Sequence, residues 1–366
     1  MNLNSNTKTQ LGTNIFFKSI KKPIMLVILL LALNCLSACS SGSGQSGADT
    51  GRLKIVTTIF PEYDWVMNIL GTNPANAEVT MLLDNGVDLH SFQPTVDDIL
   101  KIASCDLFIY VGGESDEWVD DALRETAGKN TVVINLLDIL GDSVKEEEVV
   151  EGMQEEDHDH NEEDGDHHDH GSNEEDADHH DHSEEEPEYD EHVWLSLRNA
   201  AVLVNSISEA LQKIDSANAA VYKGNTDVYL EKLALLDKEY KSAVSAASLH
   251  TLLFGDRFPF RYLVDDYGLD YYAAFAGCSA ETEASFETIT FLAKKLDELS
   301  LPAVLTIEGT DHKIAETIIA NTQKKDQRIL TMDSMQSVTS KDAANGTTYL
   351  SIMEKNLSIL KEALNQ

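Results

Sequence analysis

Residues 146 to 191 carry 24 acidic side chains and no lysine or arginine, and they contain eight of the chain's twelve histidines. These are His158, His160, His167, His168, His170, His179, His180 and His182, set among Asp, Glu, Gly, Ser and Asn. So little apolar surface cannot offset the entropy of ordering a backbone, so the tract reads as an unstructured insertion. The fold must therefore be built from what flanks it. Imidazoles among carboxylates suit a borderline cation such as zinc, whereas a plain acidic run would suit calcium or merely be solvated. The tract reads as an auxiliary, low-affinity metal collector; a solvating linker or a pH-responsive segment is the plainer alternative.

The N-terminus indicates a compartment. Lys18, Lys21 and Lys22 precede the apolar run Ile24 to Leu33, which is too short to span a bilayer comfortably and is followed by small residues. Residues 1–38 thus read as an export signal. Leu36-Ser37-Ala38-Cys39 resembles a bacterial lipobox, in which Cys39 would be acylated and become the new N-terminus. Residues 39–51, rich in Ser and Gly, would then tether an extracytoplasmic body to the membrane.

Cleavage there would take away four lysines and no acid, deepening the formal net charge from −37 to −41. Such a chain repels nucleic acid, so no nucleic-acid partner is expected. Besides Cys39, the mature chain has only Cys105 and Cys278, and no Cys-x-x-Cys motif occurs. These two read as buried thiols rather than as a disulfide.

The flanking sequence alternates between two periods. Short β-type runs at Leu53–Ile59, Val79–Leu83, Leu107–Val111 and Val132–Leu136 are separated by helical patterns near Glu62–Leu70, Thr95–Ile102 and Asp116–Thr126. A second set lies at Leu252–Phe254, Leu269–Phe275, Val304–Ile307 and Ile329–Met332, with a last helix near Leu350–Leu364. The alternation predicts an α/β chain of two similar lobes with mostly parallel sheets, at 52–214 and 248–366. Between them, residues 215–247 contain no proline, and Tyr222, Tyr229, Leu233, Leu236, Tyr240 and Val244 recur at helical spacing. One rigid helix of about 48 Å, capped by Asp215, is expected to join the lobes.

Several motifs together resemble the zinc-type metal-binding solute receptors of ABC importers. They are Thr57-Thr58-Ile59-Phe60-Pro61, Gly86 through Thr95 with His90 at its centre, Asp190-Glu191-His192-Val193-Trp194-Leu195-Ser196 after the tract, and Tyr267-Gly268-Leu269. The resemblance runs from about Leu53 to Leu364. It implies one divalent metal in a cleft between two lobes, with the His-rich tract as the loop that zinc-type members carry beside it. His90 matches the first ligand and His192 the second, both neutral nitrogen donors suited to zinc, with Trp194 as apolar packing.

The third position departs from the pattern. Where zinc-type members have a histidine ten residues before the Tyr-Gly-Leu tyrosine, this chain has Arg257, and a guanidinium cannot ligate. Asp256 is the nearest donor and is expected to replace it, unless Arg257 pairs with a carboxylate; His250 is a weaker alternative. The fourth position matches Glu308, with Asp311 and then His312 as neighbouring alternatives. Glu281 and Glu283 lie in a loop that would cap the next helix or border the cleft.

No His-Glu-x-x-His, Gly-x-Ser-x-Gly or phosphate-loop motif occurs, so an enzyme is not expected. The resemblance implies a monomeric, lipid-anchored receptor that captures Zn²⁺ and passes it to an ABC permease driven by its ATPase. Mn²⁺ or Fe²⁺ remains an alternative cargo, because oxygen donors favour harder cations. A surface metal buffer or adhesin uncoupled from transport is the alternative function.

Overall fold

The structure, a computed structural model, describes residues 52–125, 131–154, 188–279 and 283–365. The export signal, Cys39, the tether, the eight tract histidines and Glu281 lie outside them. Strands β1 (Lys54–Thr57), β2 (Glu78–Met81), β3 (Leu107–Tyr110) and β4 (Val132–Asn135) form one sheet in the order β2-β1-β3-β4, every pair parallel. Strands β5 (Thr251–Arg257), β6 (Asp270–Phe275), β7 (Ala303–Ile307) and β8 (Arg328–Met332) repeat that order as β6-β5-β7-β8, again all parallel. The two lobes expected from the alternating periods are therefore present. Ile55, Val56, Leu107, Phe108 and Ile109 in the first sheet, and Phe254, Val304 and Leu305 in the second, are buried, as strands covered on both faces must be.

In both sheets the chain lays its second strand on one side of the first and its third on the other. That reversal opens a crevice at the carboxyl ends of the central strands, where parallel α/β sheets bind ligands. The local start signals agree with the elements. Thr95 caps helix α2 (Val96–Ser104) reciprocally with Asp98, Ser196 caps α5 (Leu197–Ile214), and Thr348 caps α11 (Tyr349–Ala363).

The joining helix, α6, runs Ala219–Ala246, about 42 Å at 1.5 Å per residue. All six residues of its predicted stripe are buried. Its start differs from expectation: Asp215 ends α5, and its carboxylate accepts hydrogen bonds from Asn218 (2.7 Å) and Tyr222 (2.6 Å). An acidic residue two helices could share was claimed by the tight turn between them.

The helix is not the sole tie between lobes. Helix α11 belongs by sequence to the second lobe, yet its first residue is planted in the first. There Tyr349 packs edge-on against Trp65 of α1 (Phe60–Leu70), its amide donates to Asp64 (3.2 Å) and its hydroxyl donates to the Trp194 carbonyl (2.7 Å). At the other end Tyr240 of α6 donates to the Met353 carbonyl (2.6 Å) and stacks on Tyr267. Large aromatics buried at both ends of the spine, each contributing roughly 1.5–3 kcal/mol, resist hinge motion.

Candidate metal centre

The residues singled out by motif gather between the carboxyl ends of the two sheets. His90 sits in a single 3₁₀ turn, Leu89–Ser91, after β2; Asp88 caps that turn by accepting from the His90 amide (3.0 Å), and buried Leu89 anchors it. His192 comes from the segment that returns from the tract and enters α5. It is fully buried, with the Trp194 ring centroid 5.2 Å from its own. Trp194, whose Nε1 donates to the Ser334 carbonyl of the second lobe (2.9 Å), is the apolar wall expected of it.

The two Nε2 atoms stand 3.2 Å apart. A tetrahedral zinc with Zn–N bonds of about 2.0–2.1 Å has an N···N edge of about 3.3 Å, so the pair is already spaced for one ion. Each far nitrogen has its own hydrogen-bond partner. Asp190 accepts from both Nδ1 (3.0 Å) and the amide (2.8 Å) of His192. His90 Nδ1 lies 2.8 Å from Ser115 Oγ and 3.5 Å from Glu191 Oε2, while Glu191 Oε1 accepts from the Ser115 amide (2.8 Å). Asp190 thus orients His192 directly, while Glu191 acts on His90 through Ser115. Gly113 makes this close approach feasible: at φ 83°, a Cβ there would meet Glu191 Oε1 at 2.4 Å.

Burial, and then the neighbouring His192, push His90 down to about 3, so it is neutral. Burial alone would also lower His192, but Asp190 and then Glu191 and Asp88 outweigh it and raise His192. When His192 is protonated, its Nε2 proton faces His90 Nε2 3.2 Å away, in competition with a cation. With its amide turned to donate to Asp88 (2.9 Å), Gln336 presents its oxygen to the same His192 Nε2 at 3.2 Å.

A third donor joins the pair. The Cys278 sulfur and one nitrogen of each histidine all lie within 4.8 Å of one another. The sequence reading took Cys278 for a buried core thiol; it is half-buried and faces the cleft just beyond β6, and it forms no disulfide. Cys105, by contrast, is buried behind α2 as expected. Gly277 lets the loop approach, since a Cβ there would meet the Phe258 carbonyl at 2.9 Å and the His192 ring at 3.3 Å. Burial and then the carboxylates of Glu147, Asp190 and Glu191 raise the thiol, leaving it protonated until a cation arrives.

The expected third and fourth ligands fall outside this cluster. Asp256 is spent on the frame of the second lobe: Oδ2 accepts from the Ile307 amide (3.2 Å) and the Thr310 hydroxyl (2.9 Å), and Oδ1 from the Arg257 amide (2.9 Å). Glu308 accepts from the amide and hydroxyl of Ser334, both at 2.7 Å, and from the Gln336 amide (3.2 Å). In each case backbone donors at strand ends claim the carboxylate first. Of the alternatives, Asp311 is exposed and pairs with Lys313, His312 opens helix α9 (Lys313–Ala320), and His250 and Glu283 are exposed. Sequence reasoning missed Cys278 along with the orienting roles of Ser115 and Gln336. The only sequence signal was a Gly-Cys pair directly after a predicted strand.

Two parallel α/β lobes thus face each other across a cleft into which both histidines and Cys278 turn. The family model described as zinc-uptake complex component A, periplasmic, matches residues 55–363, and the chain belongs to that family. Its relatives include the zinc-binding lipoprotein AdcA of Streptococcus pneumoniae serotype 4, 31% identical over 94% of this chain, and the high-affinity zinc uptake system protein ZnuA of Bacillus subtilis, 28% identical over 93% of this chain and 96% of its own length. The chain spans only 62% of the length of that AdcA. Among solved structures, the Zn(II)-bound ZnuA-like domain of S. pneumoniae AdcA superposes with a TM-score of 0.63 at 25% identity, covering 86% of this chain and 100% of that domain. The periplasmic zinc-binding protein TroA of Treponema pallidum, at 20% identity and a TM-score of 0.64, shares the fold. Each of these relatives is named for zinc binding or zinc uptake.

Proposed function

We propose that this chain is an extracytoplasmic receptor, anchored through lipid on Cys39, that captures Zn²⁺ with His90 and His192 and delivers it to an ABC permease and its ATPase. The observation that carries this reading is the pair of Nε2 atoms 3.2 Å apart, with the Nδ1 of His192 held by Asp190 and that of His90 by Ser115. A pair of nitrogens already set at this spacing needs little reorganisation on binding zinc, and the interchangeable histidines that precede His192 in the sequence would raise the local metal concentration.

The test is calorimetric titration of the mature protein with Zn²⁺, beside a variant lacking residues 156–186, which hold all eight tract histidines. One tight site and several weak ones are expected in the parent, and the tight site alone in the deletion. Absence of a tight site in both would refute the receptor reading. Delivery is tested by zinc-limited growth of the source bacterium lacking the chain, which zinc supplementation should restore.

A further inference from the structure

We propose that the cleft holds its metal as a nitrogen–sulfur site, with the Cys278 thiolate as third ligand, and that Arg257 is a positioning residue which holds His90 through Asp88. This rests on the zinc-receptor reading and adds what makes the site of this chain selective. Cys278 is delivered to the cleft by three independent contacts. Strand β6 ends at Phe275, three residues away; the Cys278 amide donates to Glu147 Oε1 (2.9 Å); and Gly277 lies flat against the His192 ring. Its sulfur is the one further donor that the described His, Cys, Asp and Glu side chains bring within 4.8 Å of both imidazoles.

Arg257 ends β5 on the facing side of the second lobe. Its Nη2 donates across the cleft to Asp88 Oδ2 at 2.7 Å, while Asp88 Oδ1 accepts from the His90 amide at 3.0 Å. The guanidinium has no lone pair to offer a metal, but its Nη2 fixes one oxygen of the carboxylate. The other oxygen is thereby left on the His90 amide, 3.9 Å from His90 Nε2. Gln336, from the loop after β8, donates to the same carboxylate (2.9 Å), so two donors of the second lobe converge on the first-lobe residue that sets His90.

The chemistry sets the selectivity. When the metal binds, a metal–sulfur bond forms and the thiol proton leaves to solvent. Two imidazoles and one thiolate form a soft donor set that favours zinc over Mn²⁺, Fe²⁺, Mg²⁺ and Ca²⁺. The oxygen-rich set expected from Asp256 and Glu308 would have favoured harder cations.

The test uses the full mature chain and Co²⁺ as a spectroscopic stand-in. One equivalent should produce a thiolate-to-cobalt charge-transfer band in the near ultraviolet, which tract histidines cannot generate. Cys278→Ser should abolish the band and weaken zinc by on the order of a hundredfold or more, beyond the roughly 10–100-fold typical of losing an outer-shell partner. Cys105→Ser should keep both, and Cys278→His should recover much zinc affinity without the band. Should Cys278→Ser misfold, zinc protection of Cys278 from alkylation in the parent protein replaces that arm. Arg257→Ala should keep the band, shift the visible cobalt spectrum and cost about 10–100-fold in zinc affinity, with partial rescue by Arg257→Lys. Tight zinc binding with no thiolate band, or with Cys278 alkylated at the metal-free rate, overturns the sulfur ligand and leaves the receptor reading standing. Failure of the parent to bind tightly removes both. An Arg257→Ala protein with the parent's cobalt spectrum and zinc affinity overturns its positioning role.

Discussion

Asp190 offers the cleanest measurement of how much the surroundings of the cleft contribute. It is 2% exposed and holds His192 twice, through Nδ1 at 3.0 Å and through the amide at 2.8 Å. Asp190→Asn keeps the shape and an acceptor oxygen while removing the charge, so it isolates the electrostatic part. Outer-shell carboxylates of this kind are worth about 10–100-fold in metal affinity, or roughly 1.4–2.8 kcal/mol. The pH dependence carries the sign. Asp190 also stabilises the His192 proton that zinc must displace, so the substitution weakens zinc's competitor as well. The loss should therefore be larger at pH 8, where proton competition is slight, than at pH 6. Competition against a chromophoric chelator at the two pH values measures this. Equal affinities for Asp190→Asn and the parent at pH 8 would refute the role assigned to the carboxylate, and a larger loss at pH 6 would refute the proton placement.

Other expectations follow from the same geometry. His90→Ala and His192→Ala should each weaken the tight site severely in calorimetric titration, whereas His168→Ala or His180→Ala alone should change it little, because tract histidines substitute for one another. Asp256→Ala should leave zinc affinity nearly intact but lower the thermal midpoint, since the Ile307 amide and Thr310 hydroxyl lose a buried acceptor at roughly 1–3 kcal/mol; a loss of affinity matching His90→Ala would restore it as a ligand. Asp64 is pushed up from 3.8 to about 6 by burial, outweighing its bonds from Tyr349 and Tyr229. In the folded chain it keeps its proton while the unfolded chain gives it up. Its contribution, full below about pH 4, is therefore lost as pH rises toward 6, by about 3 kcal/mol. Urea midpoints should fall across that window in the metal-free parent and fall less in Asp64→Asn, and equal slopes would count against it.

Much of the architecture is local and therefore legible in the chain. Apolar runs of strand length between helical periods mark each β-α unit within a few residues, because a strand covered on both faces must be apolar throughout. The α6 stripe, Tyr222 to Val244, reads as a buried helix face because its spacing alone aligns those side chains. His90 and His192 stand out because each sits in a short motif whose turn and flanking residues are contiguous. Composition overextended the tract: residues 146–154 and 188–191 read as part of an unstructured insertion, yet Glu146 bridges Tyr189, and Met153, Asp190 and Glu191 are buried, because contacts with distant segments hold them.

What the chain could not declare is which groups meet. Asp256 and Glu308 lie at strand ends where a ligand is expected, yet the amides of Ile307, Ser334 and Gln336 reach them first, and only packed sheets bring those amides there. Asp190 and Glu191 are adjacent in sequence, but their division between two histidines depends on Gly113 letting Ser115 approach. Cys278 reads as a core thiol because its distance in sequence from His90 and His192 hides a separation in space under 4.8 Å. Arg257 reads as a ligand lost, and becomes a partner for Asp88 only when the two lobes face each other. A side chain's chemistry belongs to the sequence; its partner is chosen by the fold, because desolvated donors and acceptors must be satisfied by whatever tertiary packing places within reach.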